Sequence, residues 1–308
     1  MGEFAVERSI LITRPREEVY ALLKDFRQWP IWSPWLIAEP DAELVFHEDG
    51  SGYSWRGEVV GQGGLQVVKE NAPYDFELSL HIVKPWKSRS QVFFECRSEG
   101  DWTRVRWHMK SKLPFYMMLM KHRFVAEIGR DYRRGLGLLK DLAENGMVSC
   151  QIRMERPLQI QKIVYVGVKT VCRISDVTEK KEADLQRAKE WLKVQHLEIM
   201  GPPLAIFHQW SLATGDTCYS VGFPVAKQPG WLPDDMATGV IPELEVQPII
   251  HHGFYRHLCN AWAVGEMYVK AKKINLDKAF DRFEIYDEGV ADNANEPIQT
   301  TVYFPIKR

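Results

Sequence analysis

The sequence predicts an α+β fold in two parts, an antiparallel sheet closed over by one long helix and then a βαββ unit used twice. Three observations predict it. From Ala42 to Met109 short apolar runs alternate with turn segments, Asp49-Gly50-Ser51-Gly52, Gly61-Gln62-Gly63-Gly64 and Glu99-Gly100-Asp101, as in five or six strands joined by hairpins. From Phe115 to Asn145 the residues Met117, Met120, Phe124, Ile128, Tyr132, Leu136, Leu139 and Leu142 recur at helical spacing. Unbroken, such a helix would run roughly 45 Å at about 1.5 Å per residue. Finally, Thr300-Thr301-Val302-Tyr303-Phe304-Pro305-Ile306 echoes Tyr219-Ser220-Val221-Gly222-Phe223-Pro224-Val225, both with apolar residues at alternate positions. Phe283-Glu284-Ile285-Tyr286 precedes the one as Leu204-Ala205-Ile206-Phe207 precedes the other, and each strand pair follows a helical segment.

The 308 residues, 45% hydrophobic, suit two domains of ordinary size. Forty basic and forty-one acidic residues leave a net charge of −1, and the balance holds on either side of Gly146, with 21 of each before it and 19 against 20 after it. Neither part carries the excess that nucleic acid or an anionic membrane demands. Cys96, Cys150, Cys172, Cys218 and Cys259 lack metal-ligand or disulfide-framework spacing, and no signal segment opens the chain, so a reducing cytoplasm is expected. No apolar run approaches the roughly 18 residues of a spanning helix.

In chain order, Phe4 to Thr13 forms a strand with Val6, Ile10 and Ile12 on one face. Thr13, Pro15, Glu17 and Glu18 then start a helix whose stripe is Val19, Leu22, Leu23 and Phe26, and Pro30 ends it. Trp29-Pro30-Ile31-Trp32-Ser33-Pro34-Trp35 follows as a rigid aromatic loop. Within the meander, Arg104, Arg106, His108 and Lys110 share a face opposite Val105, Trp107 and Met109, and read as a solvated outer face rather than a phosphate site. Gly61-Gln62-Gly63-Gly64 lacks dinucleotide and P-loop spacing and is a hairpin. Asn145-Gly146 stops the long helix, and Gly129, Gly135 and Gly137 permit it to approach the sheet closely. An apolar cavity is expected where this helix crosses the curved sheet.

The domains are 1–146 and 147–308, joined at Met147 to Gln151. In the second, Ile163 to Val171 is a strand, and Thr178 to Gln195 a charged helix with Leu185, Ala188 and Leu192 inward. Ala226 to Pro248, with four prolines, is a connecting loop, and Phe254 to Lys273 a second helix. His251 and His252 diverge on a strand, and with His257 they have no companions at ligand spacing, so no metal and no cofactor are expected.

The first part resembles the polyketide cyclase/dehydrase branch of the SRPBCC (START-like, helix-grip) superfamily. The resemblance rests on Trp29-Pro30 with Trp32-Ser33-Pro34-Trp35, Tyr53-Ser54-Trp55-Arg56-Gly57, Val105-Arg106-Trp107-His108-Met109, Lys112-Leu113-Pro114-Phe115 and Gly129-Arg130-Asp131-Tyr132-Arg133-Arg134-Gly135-Leu136. It implies a helix-grip fold, and no set of polar cavity residues can be assigned. The second part, about Ile152 to Lys307, resembles the GyrI-like small-molecule-binding domains, related to the effector-binding domains of AraC-type regulators. The residues that carry this are Ile163 to Val168, His252-Gly253-Phe254-Tyr255, Phe283-Glu284-Ile285-Tyr286 and Thr301-Val302-Tyr303-Phe304-Pro305-Ile306. In that family the acid matching Glu284 lines the ligand groove, meets cationic aromatic ligands, and in some members hydrolyses strained electrophilic rings.

Glu284 is the focus of both readings of the site. On its strand it shares a face with Arg282 and Tyr286, and its counterpart in the first copy is Ala205. It is either a carboxylate on a wet strand face or the lone acid at the floor of an aromatic groove containing Tyr255, Tyr286, Trp210 and Trp262. The leading expectation is a protein with a cavity in each domain that binds a small hydrophobic or aromatic molecule, cationic ones included. An enzyme acting on an electrophilic or polyketide-like ligand, with Glu284 as general acid or base assisted by Tyr255, is the alternative. A transcription regulator is disfavoured, because the segment ahead of the second domain reads as β-rich rather than helix-turn-helix. Oligomeric state is not encoded in these patterns.

Overall fold

A computed structural model describes residues 2–113, 115–211, 214–287, 289 and 296–307. The chain divides into two compact units, Met1–Ser149 and Cys150–Arg308. Pro114 and the side chains of Phe115 and Met117 lie outside the described residues.

The first unit is a curled seven-stranded antiparallel sheet with a long helix after it. Its strands are β1 (Gly2–Ile12), β2 (Glu43–Phe46), β3 (Gly52–Arg56), β4 (Gln62–Asn71), β5 (Asp75–Lys84), β6 (Ser88–Glu99) and β7 (Trp102–Leu113), in the order β1-β7-β6-β5-β4-β3-β2. Each hairpin partner therefore follows its neighbour in sequence, and β1 closes the free side of β7. Helix α1 (Arg16–Lys24) starts after Pro15 and ends before Asp25, earlier than Pro30 suggested. The Asp25 carboxylate accepts from the Arg27 N–H and starts a 3-10 turn instead. Pro30 lies inside a one-turn helix, α2 (Trp29–Trp32), where its missing N–H costs nothing in a first turn, so the expected loop is partly helical.

The long helix α3 (Lys121–Asn145) is preceded by a 3-10 segment, Phe115–Met120, so it is shorter than the unbroken pattern implied. Gly146, at φ 72°, ends it in the left-handed conformation and donates to Leu142 O at 3.0 Å. Its C-terminal half is clamped to β1. Lys140 Nζ donates to Leu11 O at 2.7 Å, and Glu144 accepts from the Thr13 N–H at 2.6 Å and the Thr13 hydroxyl at 2.8 Å. The row Arg104, Arg106, His108 and Lys110 lies on the outer face, where Arg104 pairs with Glu99, and Arg106 with Glu7 and Glu95. Those carboxylates cover the two arginines of the row, while Lys110 lies 5.6 Å from the Phe93 ring centre.

The second unit has a nine-stranded antiparallel sheet: β8 (Cys150–Met154), β9 (Leu158–Ile160), β10 (Ile163–Arg173), β11 (Leu204–Ser211), β12 (Asp216–Pro224), β13 (Ala237–Ile241), β14 (Leu244–Phe254), β15 (Phe283–Ile285) and β16 (Pro297–Pro305). The order is β13-β10-β12-β11-β15-β16-β14-β8, with β9 also on β14. Helix α4 (Val177–Val194) joins β10 to β11, and α5 (Cys259–Ala271) joins β14 to β15. Both pack on one face of the sheet, over a core that includes Leu185, Leu192, Tyr219, Val221, Ile249, Val302 and Phe304. The opposite face carries a smaller cluster of Tyr165, Leu204, Ile206, Ile241, Val246 and Phe283.

Two connections differ from expectation. Within Ala226 to Pro248 the chain forms β13 and the start of β14, since its alternating Val246, Pro248 and Ile250 can pair despite the proline. Pro248 lies opposite Tyr303 of β16, and its carbonyl accepts from the Glu155 N–H at 3.2 Å. A proline is tolerated at a ladder position that needs only an acceptor. At the other end, Phe254 is still strand, and a 3-10 turn, Tyr255–His257, precedes α5.

Candidate functional site

At the centre of the second sheet the short strand β15 pairs with β11, and Glu284 lies directly opposite Ala205. Alternation along β15 sends Phe283 into the smaller cluster and Glu284 and Tyr286 toward the helices. Of the two sequence readings of Glu284, burial excludes the first: the residue is 2% exposed and is not on a wet strand face. The second, an acid among aromatic side chains, lacked its counter-charge. Lys181, from the first two turns of α4, reaches it with Nζ at 3.3 Å from Oε2. The Tyr286 hydroxyl donates to the same oxygen at 2.6 Å, and Trp262 Nε1, from α5, donates to Oε1 at 2.5 Å.

Three aromatic rings surround the lysine. Its Nζ lies 4.9 Å from the Tyr286 ring centre, 5.1 Å from Tyr255 and 5.8 Å from Phe207, all within cation–π range. A buried ammonium without a partner would shed its proton. Here burial pulls the Lys181 pKa down, but the Glu284 carboxylate and the Tyr255 hydroxyl outweigh it, and the net shift is upward. Burial, reinforced by Glu284, holds the Tyr286 hydroxyl well above its usual range, and burial likewise raises Tyr255. The cluster is thus an ammonium and a carboxylate in mutual neutralisation, lined by two protonated phenols.

The sequence-derived candidates converge in part. Glu284, Tyr255, Tyr286 and Trp262 meet around Lys181. Trp210 stands apart from the carboxylate, 45% exposed, with its ring 5.8 Å from Phe207. Phe207 is in turn 5.3 Å from Trp262, so Trp210, Phe207 and Trp262 form a row of rings from the surface to the polar cluster. Arg282 stays on the helix side, over the Phe304 ring at 5.0 Å and paired with Glu266 of α5. Lys181 is the residue that sequence reasoning missed. Its signal was present, because 181, 185, 188 and 192 follow the apolar stripe of α4, where a charge signals a buried partner.

Two further polar groups stand outside this cluster. On the other face, His208 Nε2 lies 2.7 Å from Ser220 Oγ and Nδ1 lies 2.8 Å from Asp281 Oδ2, the connectivity of a Ser-His-Asp relay. Burial runs the wrong way for a nucleophile: Ser220 is 2% exposed and the Asp281 side chain 46%. His251 is fully buried, and among the described residues neither of its ring nitrogens, nor Thr300 Oγ1 opposite it, has a hydrogen-bond partner. Burial, with His257 and His252 nearby, lowers the His251 pKa to about 4. Among the described residues no group of three or more His, Cys, Asp or Glu is arranged to hold a metal, and no helix is long and apolar enough to cross a membrane.

In the first unit, aromatic rings cover the concave face of the sheet. Trp107 of β7 stacks on Tyr132 of α3 at 4.0 Å and 12°, and Trp32, Trp35 and Phe94 pack edge-on or tilted against Trp107 at 5.0 to 5.8 Å. Toward the N-terminal end of α3 the packing loosens, and Phe124, Val125 and Ile128 are only half-buried. Residues 3–144 match the family described as polyketide cyclase / dehydrase and lipid transport. Solved structures that align with part of the chain include XoxI from Bacillus cereus, at 16% identity and a TM-score of 0.36 over 46% of this chain and 94% of that one. CalU16 from Micromonospora echinospora is similar at 15% identity and a TM-score of 0.32, over 46% and 85%. A wider span, 63% of this chain and 73% of the other, aligns with EcmrR in its DNA complex at 15% identity and a TM-score of 0.42. No curated protein matches the chain.

Proposed function

We propose that the chain is a small-molecule-binding protein whose second unit, a duplicated βαββ domain of GyrI-like type, takes a hydrophobic, aromatic ligand. The observation that carries this reading is the row of rings Trp210, Phe207 and Trp262, which runs from the surface to a buried polar cluster able to orient a ligand. Apolar walls with a few convergent polar groups are the ordinary make-up of such sites. Against hydrolysis stands the crowding of Glu284. Oε2 already accepts from Lys181 and Tyr286 and Oε1 from Trp262, which leaves a single lone pair, on Oε1 of a side chain 3% exposed, to take a substrate proton.

A second site for an apolar molecule is proposed beside the N-terminal half of α3 in the first unit. Its support is the half-burial of Phe124, Val125 and Ile128, together with a family description that includes lipid transport.

The test is a thermal-shift screen of uncharged aromatic molecules and fatty acids on the full chain, repeated on Trp262→Ala and Ile128→Lys. Aromatic ligands of the second unit should lose their stabilising effect in Trp262→Ala alone, and apolar ligands of the first in Ile128→Lys alone. A saturating ligand at one hundred times its dissociation constant adds about 2.7 kcal/mol. If no compound stabilises the wild type in a way that either variant removes, the binding reading fails.

A further inference from the structure

The environment of Lys181 Nζ is that of a bound cation. One carboxylate oxygen lies at 3.3 Å and three ring centres at 4.9, 5.1 and 5.8 Å, and the lysine and glutamate side chains are 6% and 3% exposed. We propose that Lys181 is a resident cation in an aromatic-carboxylate cage, and that the intact site consequently selects uncharged aromatic ligands and rejects hydrophobic cations. This rests on the reading of the cluster as a ligand site.

The charge balance carries the argument. A free cation entering the cage would meet a carboxylate whose charge is already cancelled and an ammonium of its own sign, both desolvated, so the electrostatic gain of the empty cage becomes a cost. An uncharged aromatic ligand meets no such opposition. It can lie against Phe207 and Trp262, both only partly buried, without disturbing the ion pair. The cage therefore encodes its preference through α4 and not through the strands, because removing the lysine alone would restore an acid among aromatic faces.

Truncating Lys181 to Ala removes a fragment with the atoms of n-propylammonium and leaves a cavity of its shape. Buried cavities of matched shape take up free ligands. The experiment measures thermal unfolding of full-length wild type and Lys181→Ala with n-propylammonium chloride, 1-propanol or sodium chloride. The expected result is that n-propylammonium restores stability to Lys181→Ala, with an advantage over 1-propanol on the order of tenfold in concentration or more, has no such effect on wild type, and loses the effect in Lys181→Ala/Glu284→Gln. Absence of an ammonium-specific effect on Lys181→Ala overturns the proposal. Should Lys181→Ala fail to fold, it is refolded from denaturant with the same three additives: recovery with the ammonium only supports the cage, and recovery with none of them overturns it.

A second arm compares benzyl alcohol with benzylammonium, alike in size. Wild type should bind the alcohol more tightly and Lys181→Ala the ammonium. Rescue without binding of either benzyl ligand to wild type would leave the resident cation standing and remove the ligand site. Binding of benzyl alcohol without rescue would do the reverse.

Discussion

His251 gives the clearest residue-scale consequence outside the cage. Its imidazole is buried and unpartnered among the described residues, and its pKa is lowered to about 4, against an ordinary value near 6.5. Because the unfolded chain binds the proton more readily, stability is fully present above about pH 6.5 and is lost as the pH falls toward 4, by on the order of 2 to 3 kcal/mol. Urea unfolding at pH 7 and pH 4.5 should show this loss in wild type and a smaller one in His251→Leu. At pH 7 the variant should be at least as stable, since it no longer buries two unsatisfied nitrogens. Equal pH dependence in the two proteins would mean that His251 titrates normally.

At the scale of elements, helix packing makes distinct demands on glycine. A methyl group at Gly135 of α3 would stand 2.8 Å from Pro34 Cδ and 2.9 Å from Trp107 Cζ3. Alanine favours a helix by about 1 kcal/mol over glycine, whereas forcing a group into a filled core costs about 1 to 3 kcal/mol. Gly135→Ala should therefore lower stability despite its better propensity, and a rise in the urea midpoint would show that α3 does not seat against α2 and β7 as described. This close approach was legible in the sequence, because a glycine inside a strong apolar pattern is a poor choice unless a neighbour needs the space. Where α3 begins was not legible. The apolar spacing continues through 115–120, and nothing in periodicity separates a 3-10 segment from the helix it leads into. The strand in Ala226 to Pro248 was hidden for a related reason: four prolines outweigh alternation in any local reading, and only pairing with β16 shows that Pro248 needs no donor.

For the whole molecule, the division into compact units at Ser149 and Cys150 predicts that each can fold alone. Fragments 1–149 and 150–308 should each unfold cooperatively in urea, and a fragment without a cooperative transition would show that its core depends on the other unit. Order along the chain was readable from the sequence, since hairpins and helices are local. The site was readable only in halves. Glu284 and Tyr286 could be singled out by the echo between strands, and Tyr255 and Trp262 as aromatics near them, but Lys181 is 103 positions away from Glu284, and no local pattern pairs a helix lysine with a strand acid at that separation. The stripe it shares with Leu185, Ala188 and Leu192 indicates burial without naming the partner.

The central claim is that Lys181 and Glu284 neutralise each other inside the second unit. A double-mutant cycle in urea unfolding, with Lys181→Met, Glu284→Gln and the pair together, tests it most directly. Each single change strands a buried charge or its partner and should cost about 3 to 5 kcal/mol, while the double variant, with no charge left to strand, should lie within about 2 kcal/mol of wild type. Additive losses in the double variant, or single variants as stable as wild type, would contradict the account.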